Sequence, residues 1–273
     1  MNCPEPLQTY TYPDTVPKGL LRKMALRTIN GMLLLRGLKF PPYYPLRDRL
    51  AHMVKGTEPD IEHLCARLVR PGMTVMDVGA NVGLLTRLFC RQVGTGGRVY
   101  AFEPDPLTFQ FLEFNTRSFP NKELTQCAVS DNQAPALLHL SPTSGAGNSL
   151  MNKSHSKESV PVACISLDEF LIQRGNPVVD VIKIDVEGAE LSVLRGMRQT
   201  VARLPGLKMI IEYCPKNLQG SGIAPREVFD ELQSHRFNLQ VIQLDGSVKA
   251  IGRFEELEGI LNPCGYVNLL CAR

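Results

Sequence analysis

No stretch of this sequence approaches the ~20 consecutive apolar residues that a membrane-spanning helix requires. The longest apolar runs, at 32–35 and 178–184, are strand-sized or interrupted by charge. The first twenty residues contain no apolar core and are broken by Pro4, Pro6, Pro13, Asp14 and Pro17. A secretory leader is therefore not expected. No C-x-x-C occurs: the eight cysteines (Cys3, Cys65, Cys90, Cys127, Cys164, Cys214, Cys264, Cys271) are scattered singly, and the five histidines lie near no cysteine pair. A zinc site and a disulfide framework are both disfavoured, and a reducing, cytoplasmic location is the expectation. Charge of one sign is also scarce, since a net +3 is too small to imply a nucleic-acid partner. No internal repeat is visible.

What is present is a chain of 273 residues, 44% of them hydrophobic, enough for one large core with an appendage. Residues 1–15 read as an irregular arm and 16–40 as one or two amphipathic helices. There Lys18, Arg22, Lys23, Arg27, Arg36 and Lys39 interleave with Leu20, Leu21, Met24, Ile29 and Leu33–Leu35. That periodicity suits a helix covering one face of a domain, or one lying at a membrane surface as a peripheral contact. Pro41, Pro42 and Pro45 then break the chain, which separates an N-terminal extension at 1–57 from a domain at 58–273.

Within 58–273 the texture alternates. Ile61, Leu64, Cys65 and Leu68 have helical spacing, and strands are predicted at 74–78, 98–102, 123–129, 178–184, 207–213, 239–244 and 265–271. Helices are predicted at 84–92, 107–117, 188–198 and 225–235, with a short one opened by the Ser166/Glu169 capping box. Residues 136–140 could add a strand, and the Ser-, Gly- and Asn-rich stretch 141–156 reads as a mobile loop. Strands alternating with helices predict a doubly wound α/β fold, its mostly parallel sheet covered on both faces.

Two motifs carry chemistry. In Val75-Met-Asp-Val-Gly-Ala-Asn-Val-Gly83 a glycine-bearing turn joins a strand to a helix, where backbone N–H groups can approach a ligand. Asp77 ends the strand, and a carboxylate there would repel a dinucleotide's pyrophosphate but attract the ammonium and sulfonium of S-adenosylmethionine. Asn81 stands where a glycine would permit the closest pyrophosphate approach, yet still tolerates a left-handed backbone. Glu103 closes the next strand about 20 residues on, the spacing of a ribose-binding acid. The second motif is Ile182-Lys-Ile-Asp-Val-Glu-Gly-Ala-Glu190. Lys183 and Asp185 point to one side of the strand, so the lysine needs a partner, and Asp185 ends the strand on the ligand-binding rim. Asp185 and Glu187 are candidates for acceptor contact, with Glu212 on the same rim if its strand is a neighbour. Such acids could orient a hydroxyl, take its proton or hold Mg²⁺, and His155 in the polar loop is an alternative base. Glu190, in a first helical turn, is as readily structural.

Together with Phe102-Glu-Pro-Asp105, Ala128-Val-Ser-Asp131, Ser166-Leu-Asp-Glu-Phe170 and Ile211-Glu212, these motifs make residues 58–271 resemble the FkbM family of methyltransferases. The resemblance implies a class I methyltransferase sheet of seven strands with an antiparallel last strand. It also implies O-methylation of a hydroxyl on a sugar, lipid or other small molecule, with S-adenosylmethionine as cofactor. By the same resemblance Asp77 and Gly79 would contact the methionine part and Glu103 the ribose, Ser130 and Asp131 would lie near adenine, and Asp185 and Glu187 would face the acceptor. From their own positions, Asn81 and Gly83 join the expected cofactor turn and Glu212 joins the acceptor-side candidates, and no dedicated metal is expected. The competing readings are a nicotinamide-dependent oxidoreductase, which Asp77 and Asn81 oppose, and a non-catalytic cofactor-binding scaffold.

Overall fold

A computed structural model describes residues 20–42, 44, 46, 49–50, 59–140, 148–150, 158–261 and 265–273. The expected arm at 1–15, His155 and most of the polar loop at 141–156 lie outside the described residues. Along the chain, α1 (Leu20–Leu35) and α2 (Pro59–Leu68) precede β1 (Thr74–Val78), α3 (Leu84–Val93), β2 (Arg98–Phe102), α4 (Pro106–Thr116) and β3 (Lys122–Thr125). Four short strands follow, β4 (Ala128–Val129), β5 (Ala136–His139), β6 (Ser159–Val162) and β7 (Cys164–Ile165), and then α5 (Leu167–Ile172). The alternation resumes with β8 (Val181–Ile184), α6 (Glu190–Arg195), α7 (Arg198–Arg203), β9 (Lys208–Tyr213), α8 (Pro215–Gly220), α9 (Pro225–Ser234) and β10 (Asn238–Ile242). The described chain ends with β11 (Val248–Ile251), α10 (Phe254–Glu258) and β12 (Val267–Ala272).

The main sheet has the order β3-β2-β1-β8-β9-β12-β10-β11. Strands β3, β2, β1, β8 and β9 run parallel, and β12 is antiparallel to both β9 and β10. This is the expected doubly wound sheet with its reversed last strand, enlarged by one. The eighth strand, β11, folds back on β10 through the Asp245-Gly246 turn, with Gly246 at φ 74°. Three of its four residues are exposed at the sheet edge, so it has no buried alternation to announce it.

Both faces of the sheet are buried, and side chains of single strands alternate between them. Val75, Val99, Val181 and Ile210 pack with Ile61, Leu64 and Phe89 of α2 and α3. Met76, Val78, Tyr100 and Phe102 pack on the other side with Phe170, Leu194 and Met197. At about 1.5–3 kcal/mol for each large side chain buried, these two layers hold β1 rigidly between β2 and β8. The chain order reverses there: from β1 it runs outward to β3, then returns to β8 on the other flank. That reversal opens a crevice beyond the carboxyl ends of β1 and β8.

Tertiary contacts changed two predicted elements. The helix expected at 188–198 is broken at Gly196 into α6 and α7, and the residue there must be glycine, since a Cβ would lie 2.4 Å from the Ser130 carbonyl oxygen. The strand expected at 123–129 splits at Gln126: β3 stays in the main sheet, while β4 leaves it to pair with β7. Helix α1 buries Ile29 and Leu33 against Phe40, Tyr44 and Val82, leaving Leu35 91% exposed.

Candidate active site

The turn after β1 is built on positive φ angles: 84° at Gly79, 51° at Asn81 and 84° at Gly83. The two glycines are required for different reasons. A Cβ on Gly79 would sit 1.8 Å from the backbone oxygen of Asp185, so this glycine lets the ends of β1 and β8 touch. A Cβ on Gly83 would meet Leu112 of α4 at 2.6 Å, which is a helix-packing constraint. Asn81 accepts the left-handed conformation because its short amide bonds locally, and its Oδ1 accepts the Val82 N–H at 2.8 Å.

Glu103, 8% exposed, lies beside this turn. Its Oε2 accepts the Asn81 N–H and its Oε1 accepts the Asp105 N–H, each at 2.9 Å. Burial, reinforced by the Asp105 charge, pushes the Glu103 carboxyl up to about 8 despite these two donors. Asp77 is deeper still, 1% exposed, with its Oδ2 accepting the Thr86 hydroxyl at 2.6 Å. Burial raises its pKa and neighbouring Lys183, its register partner on β8, works against that. The other oxygen of Asp77, Oδ1, is buried without a hydrogen-bond partner.

The opposite rim is wired differently. Lys183 is 2% exposed, and its ammonium donates to Asp185 Oδ2 at 2.7 Å, which supplies the partner its apolar strand demands. Glu187 follows at φ 57°, its Oε2 accepting the Asn217 amide from α8 at 2.7 Å. Carboxylate oxygens of Asp185, Glu187 and Glu212 lie within 4.8 Å of one another, all three side chains partly exposed. Glu190 turns away from catalytic use: it is 4% exposed, and Oε1 accepts the Gly188 N–H at 3.1 Å. Burial raises its carboxyl to about 7.

A solvent-open cleft of about 610 Å³ joins the two rims, with Gly79, Asn81 and Glu103 on one wall and Asp185 and Glu187 on the other. Its lining does not include Asp77, Gly83, Ser130, Asp131 or Glu212. Asp77 is buried beneath the turn, Gly83 faces Leu112 of α4, Ser130 is buried near Gly196, and Asp131 is exposed, accepting the Ser130 hydroxyl at 3.2 Å. Sequence reasoning missed Asn148, Leu138 and Leu150, which line the cleft from the β5–β6 hairpin and the returning polar loop. Asn148 donates to Asp105 Oδ2 at 3.0 Å, and Ser149 donates to the Glu187 carbonyl at 2.8 Å. A polar loop composition gives no hint of such anchoring. Asn217 and the six-residue α8 were also missed, although Pro215 at the first helical position was an available signal.

Residues 77–267 match the model of the methyltransferase FkbM domain. Hexuronic acid methyltransferase AglP of Haloferax volcanii is 26% identical over 189 residues, spanning 69% of this chain and 73% of that protein. The 31-O-demethyl-FK506 methyltransferase FkbM of Streptomyces tacrolimicus is 29% identical over 173 residues, 52% of this chain and 65% of that one. Among solved structures, the O-methyltransferase of Bacillus cereus in complex with S-adenosylhomocysteine matches with a TM-score of 0.47 at 14% identity, covering 95% of this chain and 93% of the other. A doubly wound sheet with a reversed last strand, and an acid-lined turn at its switch point, define an S-adenosylmethionine-dependent methyltransferase. The chain belongs to the FkbM methyltransferase family, whose domain spans most of it.

Proposed function

We propose that the enzyme O-methylates a hydroxyl of a small molecule, sugar or lipid, with Asp185 as the residue that positions and deprotonates the acceptor. One observation carries this reading: Gly79, Asn81 and Glu103 share a single cleft with Asp185 and Glu187. The acceptors in the names of AglP and FkbM, a hexuronic acid and 31-O-demethyl-FK506, are compatible with this range.

The residues suit the cofactor. Glu103 retains lone pairs for two ribose hydroxyls beyond the backbone donors it already accepts. The orphaned Oδ1 of Asp77 is an acceptor in want of a donor, and an ammonium group would provide one. Ser130 and Asp131, with Gly83, are assigned supporting roles at the adenine end and the helix start. Bound S-adenosylmethionine supplies an activated methyl group on a good leaving group. The protein's task is then to hold the acceptor oxygen in line and manage its proton. Lys183 occupies Oδ2 of Asp185, while Oδ1 has no hydrogen-bond partner among the described residues and can receive that proton. Glu187 and Glu212 would bind neighbouring hydroxyls of the acceptor.

Mg²⁺ held by Asp185, Glu187 and Glu212 is the other use of this geometry. The Lys183 ion pair already neutralises one of these carboxylates, which leaves less negative charge for a divalent cation. Calorimetric titration with S-adenosylmethionine and S-adenosylhomocysteine, beside Asp77→Ala and Glu103→Ala, tests the cofactor assignment. Turnover across a panel of hydroxyl compounds, with and without EDTA, tests the rest. Micromolar binding lost in Asp77→Ala and weakened in Glu103→Ala, with EDTA-resistant turnover, is expected. A folded wild type that binds neither ligand would refute the cofactor assignment, and EDTA-sensitive turnover restored by Mg²⁺ would refute the metal-free mechanism.

A further inference from the structure

The part of the molecule that approaches the cofactor turn from outside lies in the N-terminal extension, upstream of the FkbM domain match at 77–267. Tyr44 is 6% exposed, and its hydroxyl lies 2.5 Å from Asn81 Oδ1. That same oxygen accepts the Val82 N–H at 2.8 Å, which identifies it as the amide's acceptor atom and obliges Tyr44 to donate. With Oδ1 doubly engaged, Nδ2 is the part of the Asn81 side chain left for a ligand, and Asn81 lines the cleft. The Asn81 backbone N–H is meanwhile committed to Glu103 Oε2.

Tyr44 is itself firmly held. The Arg49 guanidinium, 2% exposed, donates to the Tyr44 carbonyl at 3.0 Å, to Asn30 Oδ1 at 2.6 Å and to the Pro41 and Pro42 carbonyls. The Phe40 ring packs at 5.3 Å from that of Tyr44. A second bolt lies one residue along: the Asn115 amide donates to the Lys39 carbonyl at 2.9 Å and to the Val82 carbonyl at 2.8 Å, while the Lys39 N–H donates to Asn115 Oδ1. Tyr44 is thus fixed to Asn81 directly and Lys39 to Val82 through Asn115, at the two positions where the turn enters α3.

We infer that Tyr44 is a positioning residue for cofactor binding: it locks the Asn81 amide so that Nδ2 is presented as a donor to an acceptor atom of the cofactor. The cofactor site then extends beyond the family domain into the N-terminal segment. This rests on the cofactor assignment above, and the test separates the two. Tyr44→Phe keeps the ring and its packing and removes one hydroxyl. S-adenosylhomocysteine titrated into the full chain by calorimetry should bind about five- to tenfold more weakly in this variant, the loss of one buried hydrogen bond. The melting temperature should move little. In Asn81→Ala the amide is gone, so adding Tyr44→Phe to it should weaken binding no further, whereas independent roles would multiply. Wild-type affinity in Tyr44→Phe, or fully multiplicative losses in the double variant, overturns the inference while leaving the cofactor assignment intact. Absence of binding to folded wild-type protein overturns the cofactor assignment, and the Tyr44 role with it.

Discussion

On the β1–β2 rim, Asp77 and Glu103 are buried, with raised pKa values, and accept hydrogen bonds from backbone N–H groups and one hydroxyl. On the β8–β9 rim, Asp185, Glu187 and Glu212 are partly exposed, and the buried Lys183 and the Asn217 amide are neighbours. The same residue type is used for opposite ends. Buried carboxylates that brace a backbone turn give a fixed shape into which a large, invariant ligand can settle. Partly exposed ones stay reachable from solvent, which suits contact with variable acceptors. At Gly79 the two rims come into close contact, through the Asp185 backbone.

The largest separation between the rims should come from Asp185→Asn. The substitution keeps shape and removes the basic oxygen, so turnover should fall about 10²- to 10⁴-fold, or ~3–5 kcal/mol in the barrier. S-adenosylhomocysteine affinity should stay near wild type by calorimetry. Unchanged turnover would reduce Asp185 to a counter-ion for Lys183. Next in size, Gly79→Ala should blur the comparison by damaging both rims at once. It forces a Cβ toward the Asp185 carbonyl oxygen from a backbone at φ 84°. A stability loss of about 2–4 kcal/mol in denaturant unfolding is expected. Gly83→Ala should cost less, because its nearest obstacle is the movable end of Leu112. Equal losses at the two glycines would mean that the β1–β8 contact is not the tighter constraint.

Glu103→Ala isolates the cofactor rim. Two hydrogen bonds from ribose hydroxyls to one carboxylate should be worth about 1.5–3 kcal/mol, a loss of ten- to a hundredfold in S-adenosylhomocysteine affinity. Acceptor KM, measured at saturating cofactor, should change much less. A shift confined to acceptor KM would reverse the assignment of the two walls.

How far the sequence revealed this arrangement depended on what each feature needed to be seen. Strands β1 and β2 fell at the residues expected, because each is a short apolar run ended by a charged or glycine-bearing turn. Lys183 advertised its ion pair by being a charge in an otherwise apolar strand. The need for glycine at 196 could not be read, since it answers to the Ser130 carbonyl more than sixty residues away. Asn148 and Tyr44 were equally silent: one sits near a polar low-complexity stretch and the other among prolines, and both act through partners distant in the chain. Local patterns reveal what a residue requires of its neighbours in sequence, and the cleft is assembled from requirements met across the fold.

The smallest effect tests whether burial on the cofactor rim carries the electrostatic cost ascribed to it. An acid whose pKa is raised on folding binds a proton in the native state that the unfolded chain has already released. Glu103, raised to about 8 from about 4.5, and Glu190, raised to about 7, should both lower stability as pH increases across that interval. Each contributes at most about 1.4 kcal/mol per pH unit, fully stabilising only below the unfolded value and levelling off above its own folded one. Between pH 7 and 8 the Glu190 contribution is fading and Glu103 dominates. The ligand-free protein should therefore lose stability over that range in denaturant titrations, and Glu103→Gln, which cannot ionise, should flatten the slope. A slope unaltered by Glu103→Gln would show that the β1–β2 acid is ionised in the native state, and the contrast between the two rims would rest on exposure alone.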